Sequence, residues 1–303
     1  MKRGVRFAPA YSFMHWLDRR LEPKDGLVVI GVRGLLDEIR PGINPANHSS
    51  LASFEELLRA IRETGMNTVL PSDITDGELS GRDVMITFQP VYANNLSALD
   101  LLEKYNARAL FLLAPYYIHH ELAFPCDFMD RISRAKRRKL IESTNVEERE
   151  RTIERSRKDI MPIDDSERPL NIAELEELAA HNNVAIGIMP FLGLPGLSDP
   201  LELFDEINHA GDFVAAVTGS FPDAIAFPGG QTNGSLIEML PLHDIHIGLT
   251  ESPGYNSTEY LTQPEHLLTL KRRFLPTFAT GEPDNLAECI LANRFFAGDY
   301  PLL

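Results

Sequence analysis

The chain of 303 residues carries 44 Asp and Glu against 29 Lys and Arg, a net charge of -15 at pH 7. That balance disfavours nucleic acid and anionic membrane surfaces as partners except through a local basic patch. A domain of this length buries roughly 75% of its unfolded surface, so its core needs no staple. Two cysteines, Cys126 and Cys289, have no CxxC spacing and exclude a disulfide framework; they read as reduced, mostly buried thiols.

At the N-terminus Lys2, Arg3 and Arg6 precede a stretch broken by Pro9, Ser12 and His15, which is a poor export signal. No apolar run approaches the roughly 20 residues that span a bilayer, so the expectation is a soluble, cytoplasmic protein. Strand-like runs at 27–32, 67–70, 83–88, 108–113, 184–189, 224–227 and 245–249 alternate with helical patterns, which argues for parallel βα units. The run 83–88 leads into Gln89, Pro90, Tyr92, Asn94 and Asn95. Leu96, Leu99, Leu101 and Leu102 follow at helical spacing, placing these polar residues on a strand-to-helix turn, where α/β folds bind ligands. Asn94 and Asn95 also suit an N-cap for that helix.

Strand 108–113 is expected to extend through 114–118, leaving His119 and His120 on its carboxyl side near Glu121 and Asp127. Residues 127–163 mix charges at helical spacing and read as a solvated helical insertion. The turn from Pro228 to Asn233 joins a strand to a helix beginning near Gly234, and its backbone N–H groups, Gly230 included, suit an anion or a sugar carbonyl. His243 and Asp244 precede strand 245–249 and so lie at its amino end. No linker or repeat divides the chain, and the expectation is one domain over 1–303 with the insertion at about 127–163.

Taken together, Thr87, Phe88, Gln89, Pro90, Val91 and Tyr92 resemble the first motif of the polysaccharide deacetylases, the NodB-like carbohydrate esterases, which reads Thr-Phe-Asp-Asp-Gly-Tyr followed shortly by Asp-Asn. The order of other matches is also similar to that family: the opening strand at 27–34, the segment from Phe54 through Gly65 to Val69, the stretch 99–113, the stretch 175–187, and Phe227, Pro228, Gly229 and Gly230 with Asn233. The resemblance implies an α/β fold, a distorted (β/α) barrel of about seven parallel strands, with its site at the carboxyl ends of the strands. It also implies hydrolysis of N- or O-acetyl groups by a divalent metal on one Asp and two His, with a second Asp as general base. In this chain the base position is Gln89, the metal-binding Asp position is Pro90, and the two His positions are Met189 and Gly193. Pro90 and Gly193 have no side-chain donor, and Met189 offers a soft thioether. An amide cannot take a proton from water as the family's carboxylate does.

The groups that remain are neutral. Gln89, Tyr92 and Asn95 can exchange hydrogen bonds with a sugar, and Tyr92 has an apolar face for a ring. His119, His120 and Gly230 complete the candidate ligand-binding set. Met189, Pro190, Phe191 and Leu192 are expected to narrow or fill the cleft by hydrophobic burial. The function expected is a catalytically inactive deacetylase-like protein, without metal or other cofactor, that binds a carbohydrate or glycan precursor in surface polysaccharide biosynthesis. The alternative is an active carbohydrate deacetylase or other sugar-modifying enzyme with a rebuilt site, using His119, His120, Glu121, Asp127 or Glu251 as acid and base.

Overall fold

The computed structural model describes residues 25–143, 145–190 and 199–280. Among them are the strands β1 (Gly26–Val32), β2 (Gly34–Leu36), β3 (His48–Ser50), β4 (Asn67–Thr68), β5 (Arg82–Phe88), β6 (Ala109–Leu113), β7 (Val184–Ile188), β8 (Ala224–Ala226), β9 (Ile247–Leu249), β10 (Asn256–Ser257) and β11 (Arg273–Phe274). One curled sheet runs β10-β1-β5-β6-β7-β8-β9, with β4 beside β5 and β11 beside β1. Every pairing in it is parallel except that of β10 with β1. The result is a half-barrel, which agrees with the (β/α) barrel expected; β2 and β3 pair separately, in parallel.

The strands read as continuous apolar runs because both faces of the sheet are covered. Successive side chains point to opposite faces. Val28, Ile30 and Val32 of β1 pack with Phe54, Leu57 and Leu58 of the helix Leu51–Glu63 and with Leu99 and Leu102 of the helix Ala98–Tyr105. Leu27 and Val29 pack with Met85, Leu110, Leu112, Ala226 and Leu249 on the other face. The helix Leu51–Glu63 starts where Ser50 accepts a hydrogen bond from Ser53 N, and its apolar positions fall on one side.

Two boundaries differ from the sequence expectation. The segment after β6 does not extend the strand; Pro115 opens a helix, Pro115–His120, since its fixed φ suits the first helical position and it has no N–H to give a ladder. Residues 93–97 form a 3-10 turn before the helix Ala98–Tyr105, and neither Asn94 nor Asn95 caps that helix.

The expected insertion is helical, with Pro125–Phe128, Arg134–Glu142, Val146–Glu154 and a 3-10 turn at Arg157–Asp159. Its outer side is laced with pairs such as Arg138–Glu142 at 2.7 Å, Arg137–Asp130 at 3.0 Å and Lys139–Glu148 at 3.7 Å. Its inner side is not solvated. Phe128, Leu140, Ile153 and Ile160 are buried with Tyr92, Tyr117 and Phe124 in the cluster that continues from the sheet. Among the described residues no helix is long and apolar enough to cross a membrane.

Candidate functional site

The carboxyl ends of the parallel strands converge on one small pocket of about 210 Å³. Its wall is assembled from Arg33 after β1, Gln89 and Pro90 after β5, Met189 after β7, Pro228 and Gly229 after β8, and Glu251 after β9, with Phe124, Pro125, Cys126 and Phe274 closing it. Backbone ladders set these positions. Gln89 N donates to Val32 O at 3.0 Å, and Met189 N to Leu113 O at 2.6 Å, so each side chain emerges one residue beyond its strand.

Gln89 is nearly buried, and its Nε2 donates to the Sδ of Met189 at 3.0 Å. Its Oε1 is buried without a hydrogen-bond partner. Such an atom forfeits about 1–3 kcal/mol of solvation unless something donates to it. The Gln89–Pro90 peptide is cis.

The rest of the turn faces inward. Tyr92 is fully buried and donates from its hydroxyl to Asp127 Oδ2 at 2.9 Å. Asn95 is fully buried too; its Oδ1 accepts from Tyr92 N at 2.7 Å and its Nδ2 donates to Arg33 O at 2.8 Å. Asn94 accepts from Leu35 N at 3.0 Å and donates to Ser166 O at 3.0 Å. These side chains fasten the turn to the segment after β1 and to residue 166, and neither Tyr92 nor Asn95 is on the pocket wall.

A polar chain runs behind the wall. Arg33 Nη1 donates to Asn47 Oδ1 at 3.3 Å, and Asn47 Nδ2 donates to Cys126 O at 3.0 Å and to Asp127 Oδ1 at 2.6 Å. Burial pushes the Asp127 carboxyl up to about 6, although the hydrogen bonds from Asn47 and Tyr92 pull it the other way. Burial also holds the Tyr92 phenol well above its ordinary value, with the neighbouring Cys126 and Asp127 adding to the effect. Cys126 is an exposed residue rather than the buried one expected, and its Sγ turns in to 3.3 Å from the Tyr92 hydroxyl. Cys289 lies outside the described residues.

His119 and His120 sit at the end of the helix Pro115–His120 and line a second pocket, of about 200 Å³, with Tyr116, Glu150, His209 and Met189. Burial lowers the pKa of His120, with His119 and Arg157 acting in the same direction. Met189 is common to both pockets, but the histidines are not on the wall that carries Gln89. Gly230 has a φ of 68°, and a Cβ there would stand 2.5 Å from Glu251 N. Its role in the structure is close packing of the β8 turn on the segment after β9. His243 is buried against Phe204, with ring centroids 4.4 Å apart, at the amino end of β9 as expected.

No family model and no curated protein matches this sequence. Solved structures do match its fold. A deacetylase from Streptococcus pyogenes, PplD, in complex with acetate, is 14% identical with a TM-score of 0.59, covering 92% of this chain and all of its own. IcaB from Ammonifex degensii is 15% identical with a TM-score of 0.58, over 90% of this chain and 98% of its own. The BpsB deacetylase domain from Bordetella bronchiseptica is 18% identical with a TM-score of 0.55, over 84% and 98%. This chain has the polysaccharide deacetylase fold.

In that fold the strand-end pocket is where the resemblance places a divalent metal, and the residues present do not fit one. Of the positions implied for ligands, Pro90 has no side-chain donor and Met189 offers a thioether tied to the amide at the base position, Gln89; Gly193, with Phe191 and Leu192, lies outside the described residues. Among the described residues, no group of three or more His, Cys, Asp or Glu is arranged to hold a metal ion.

The residues missed from sequence are Arg33, Asn47, Phe124 and Phe274. Arg33 had one usable signal, since it directly follows the opening strand of a parallel sheet. Phe274 had none, because it reaches the pocket through a two-residue strand that pairs with β1 at Ile30 and Gly31.

Proposed function

We propose that this chain is a catalytically inactive deacetylase-like protein that binds a carbohydrate or glycan precursor in surface polysaccharide biosynthesis. The observation that carries the reading is the contact of Gln89 Nε2 with Met189 Sδ at the centre of the strand-end pocket. It fills, with a neutral pair, the place where the resemblance calls for a base and a metal ligand. A wall with one unsatisfied amide oxygen, the guanidinium of Arg33, the carboxylate of Glu251, prolines and the rings of Phe124 and Phe274 suits hydroxyls and the apolar face of a sugar. At about 210 Å³ the pocket is below the roughly 300–1,000 Å³ of drug-sized sites and accords with a single ring. The PplD, IcaB and BpsB structures support the carbohydrate part of the reading through shared fold alone.

A rebuilt enzyme has less support. Both oxygens of Asp127 are engaged by Asn47 and Tyr92, and His119 and His120 line the other pocket. The test is calorimetric binding of chitooligosaccharides alongside an acetate-release assay with added zinc, cobalt or manganese. Binding with no acetate released is the expected result; acetate release that a chelator abolishes would overturn the reading.

A further inference from the structure

The strand-end pocket is backed by more positive charge than a site for a neutral sugar requires. Arg272 is fully buried, and its Nε donates to Thr250 O at 3.2 Å. Its Nη1 and Nη2 are buried with no hydrogen-bond partner. A guanidinium in that state is unusual, since buried charges are ordinarily paired and fully hydrogen-bonded.

Its surroundings are those of the pocket wall. The Arg272 Cζ stands 4.8 Å from the centroid of the Phe274 ring, and the Cζ of Arg33 stands 5.1 Å from the same centroid. Phe274 and Arg33 both line the pocket. The carboxylate on the pocket wall, Glu251, is exposed and makes no ion pair with Arg272 among the described residues. Burial pulls the Arg272 guanidinium down to about 10, with Glu251 acting against that shift and Arg33 with it, so the group remains a cation at neutral pH. Arg33 spends one N–H on Asn47 at the long distance of 3.3 Å, which leaves most of its fork for a ligand.

We infer that the strand-end pocket selects an acidic sugar, its carboxylate or phosphate received by Arg33 on the wall in the field of the buried Arg272 behind Phe274. The inference rests on the carbohydrate-binding reading and specifies the substrate class. The sugar ring lies against Phe274 and the prolines, and a ring hydroxyl donates to the unsatisfied Gln89 Oε1. One charge-assisted hydrogen bond in a partly desolvated site corresponds to a preference of about tenfold or more over the uncharged analogue.

Isothermal titration of the full chain with glucuronic acid, glucose 6-phosphate and glucose tests this, with chitooligosaccharides as the neutral reference. The acidic sugars should bind at least about tenfold more tightly than glucose. That gap should shrink in Arg33→Gln and as sodium chloride is raised. Glucuronic acid ahead of glucose 6-phosphate identifies a carboxylate ligand, and the reverse order a phosphate; both orders support the inference. Arg272→Gln should narrow the gap too, and because that position is buried, Arg33→Gln at the pocket wall decides the matter if the Arg272 variant fails to fold. Equal binding of glucose and the acidic sugars, or a full preference retained by Arg33→Gln, would overturn the inference. Chitooligosaccharide binding without an acidic preference would overturn it while leaving the carbohydrate reading intact, and no binding of any sugar by folded protein would overturn both.

Discussion

Asp127 is a buried carboxyl with both oxygens engaged by neutral donors, Asn47 and Tyr92. Its carboxyl is held at about 6 by burial, against 3.8 for the free side chain. The folded state therefore holds a proton there that the unfolded chain gives up between about pH 4 and 6. The neutral form's contribution is fully present below the unfolded value and is lost as pH rises through the folded one, an effect on the order of 3 kcal/mol. In Asp127→Asn the amide can still accept from Asn47 and face the Tyr92 hydroxyl, but it does not titrate. The stability of the native chain relative to this variant should therefore fall by about 3 kcal/mol between pH 4 and pH 7 in urea denaturation. A difference that stays flat over that range would mean that Asp127 is not buried as described. Other carboxyls are shifted too, Glu174 downward beside Arg168 and Asp223 upward by burial, but they cancel in the comparison.

At the scale of elements, the pocket depends on how closely β11 approaches β1. Gly31 pairs with Phe274, and a Cβ on Gly31 would stand 2.6 Å from Cδ1 and Cε1 of that ring. Gly31→Ala must push Phe274 off the pocket wall, at about 1–3 kcal/mol of overpacking, and sugar affinity should drop with it. Gly234→Ala, where nothing lies within 4 Å of the added carbon, is the matched control and should be neutral or slightly stabilising. Urea midpoints and titration calorimetry on both variants would check this; equal behaviour of the two would remove the packing argument.

The same dependence explains what the sequence discloses. Strands β1, β5 and β6 are legible because burial on both faces makes them continuous apolar runs, Gln89 and Pro90 are legible because they follow such a strand, and Met189 is legible through the resemblance. The inward turn of Tyr92 and Asn95 is not. A linear stretch of neutral hydrogen-bonding residues reads the same whether its side chains face a cleft or tie a loop to Arg33, Leu35 and Ser166. Strand β11 is equally hidden, since two residues have no periodicity and acquire meaning only against the edge of β1. The helix at Pro115 has its proline as a local signal, but the apolar and aromatic residues around it suit a strand equally well.

For the whole molecule, the question is whether the charged insertion is an accessory or part of the core. Its inner residues Phe128, Leu140, Ile153 and Ile160 share a buried cluster with strand residues Leu110, Leu112 and Leu249. An ion pair fixes the same junction: Arg131 bridges Glu167, whose side chain is 1% exposed and which also accepts from Ile163 N at 3.0 Å. Removing one partner of a buried pair strands the other charge, at a cost of about 3–5 kcal/mol, a large fraction of the roughly 5–15 kcal/mol that hold a domain folded. If the insertion and half-barrel unfold as one unit, Arg131→Ala should lower the urea midpoint of a single transition. Hydrogen exchange should then rise together in the helix Val146–Glu154 and in strands β5 and β6. Loss of protection confined to residues 134–154, with β5 and β6 unchanged, would make the insertion a separate cooperative unit.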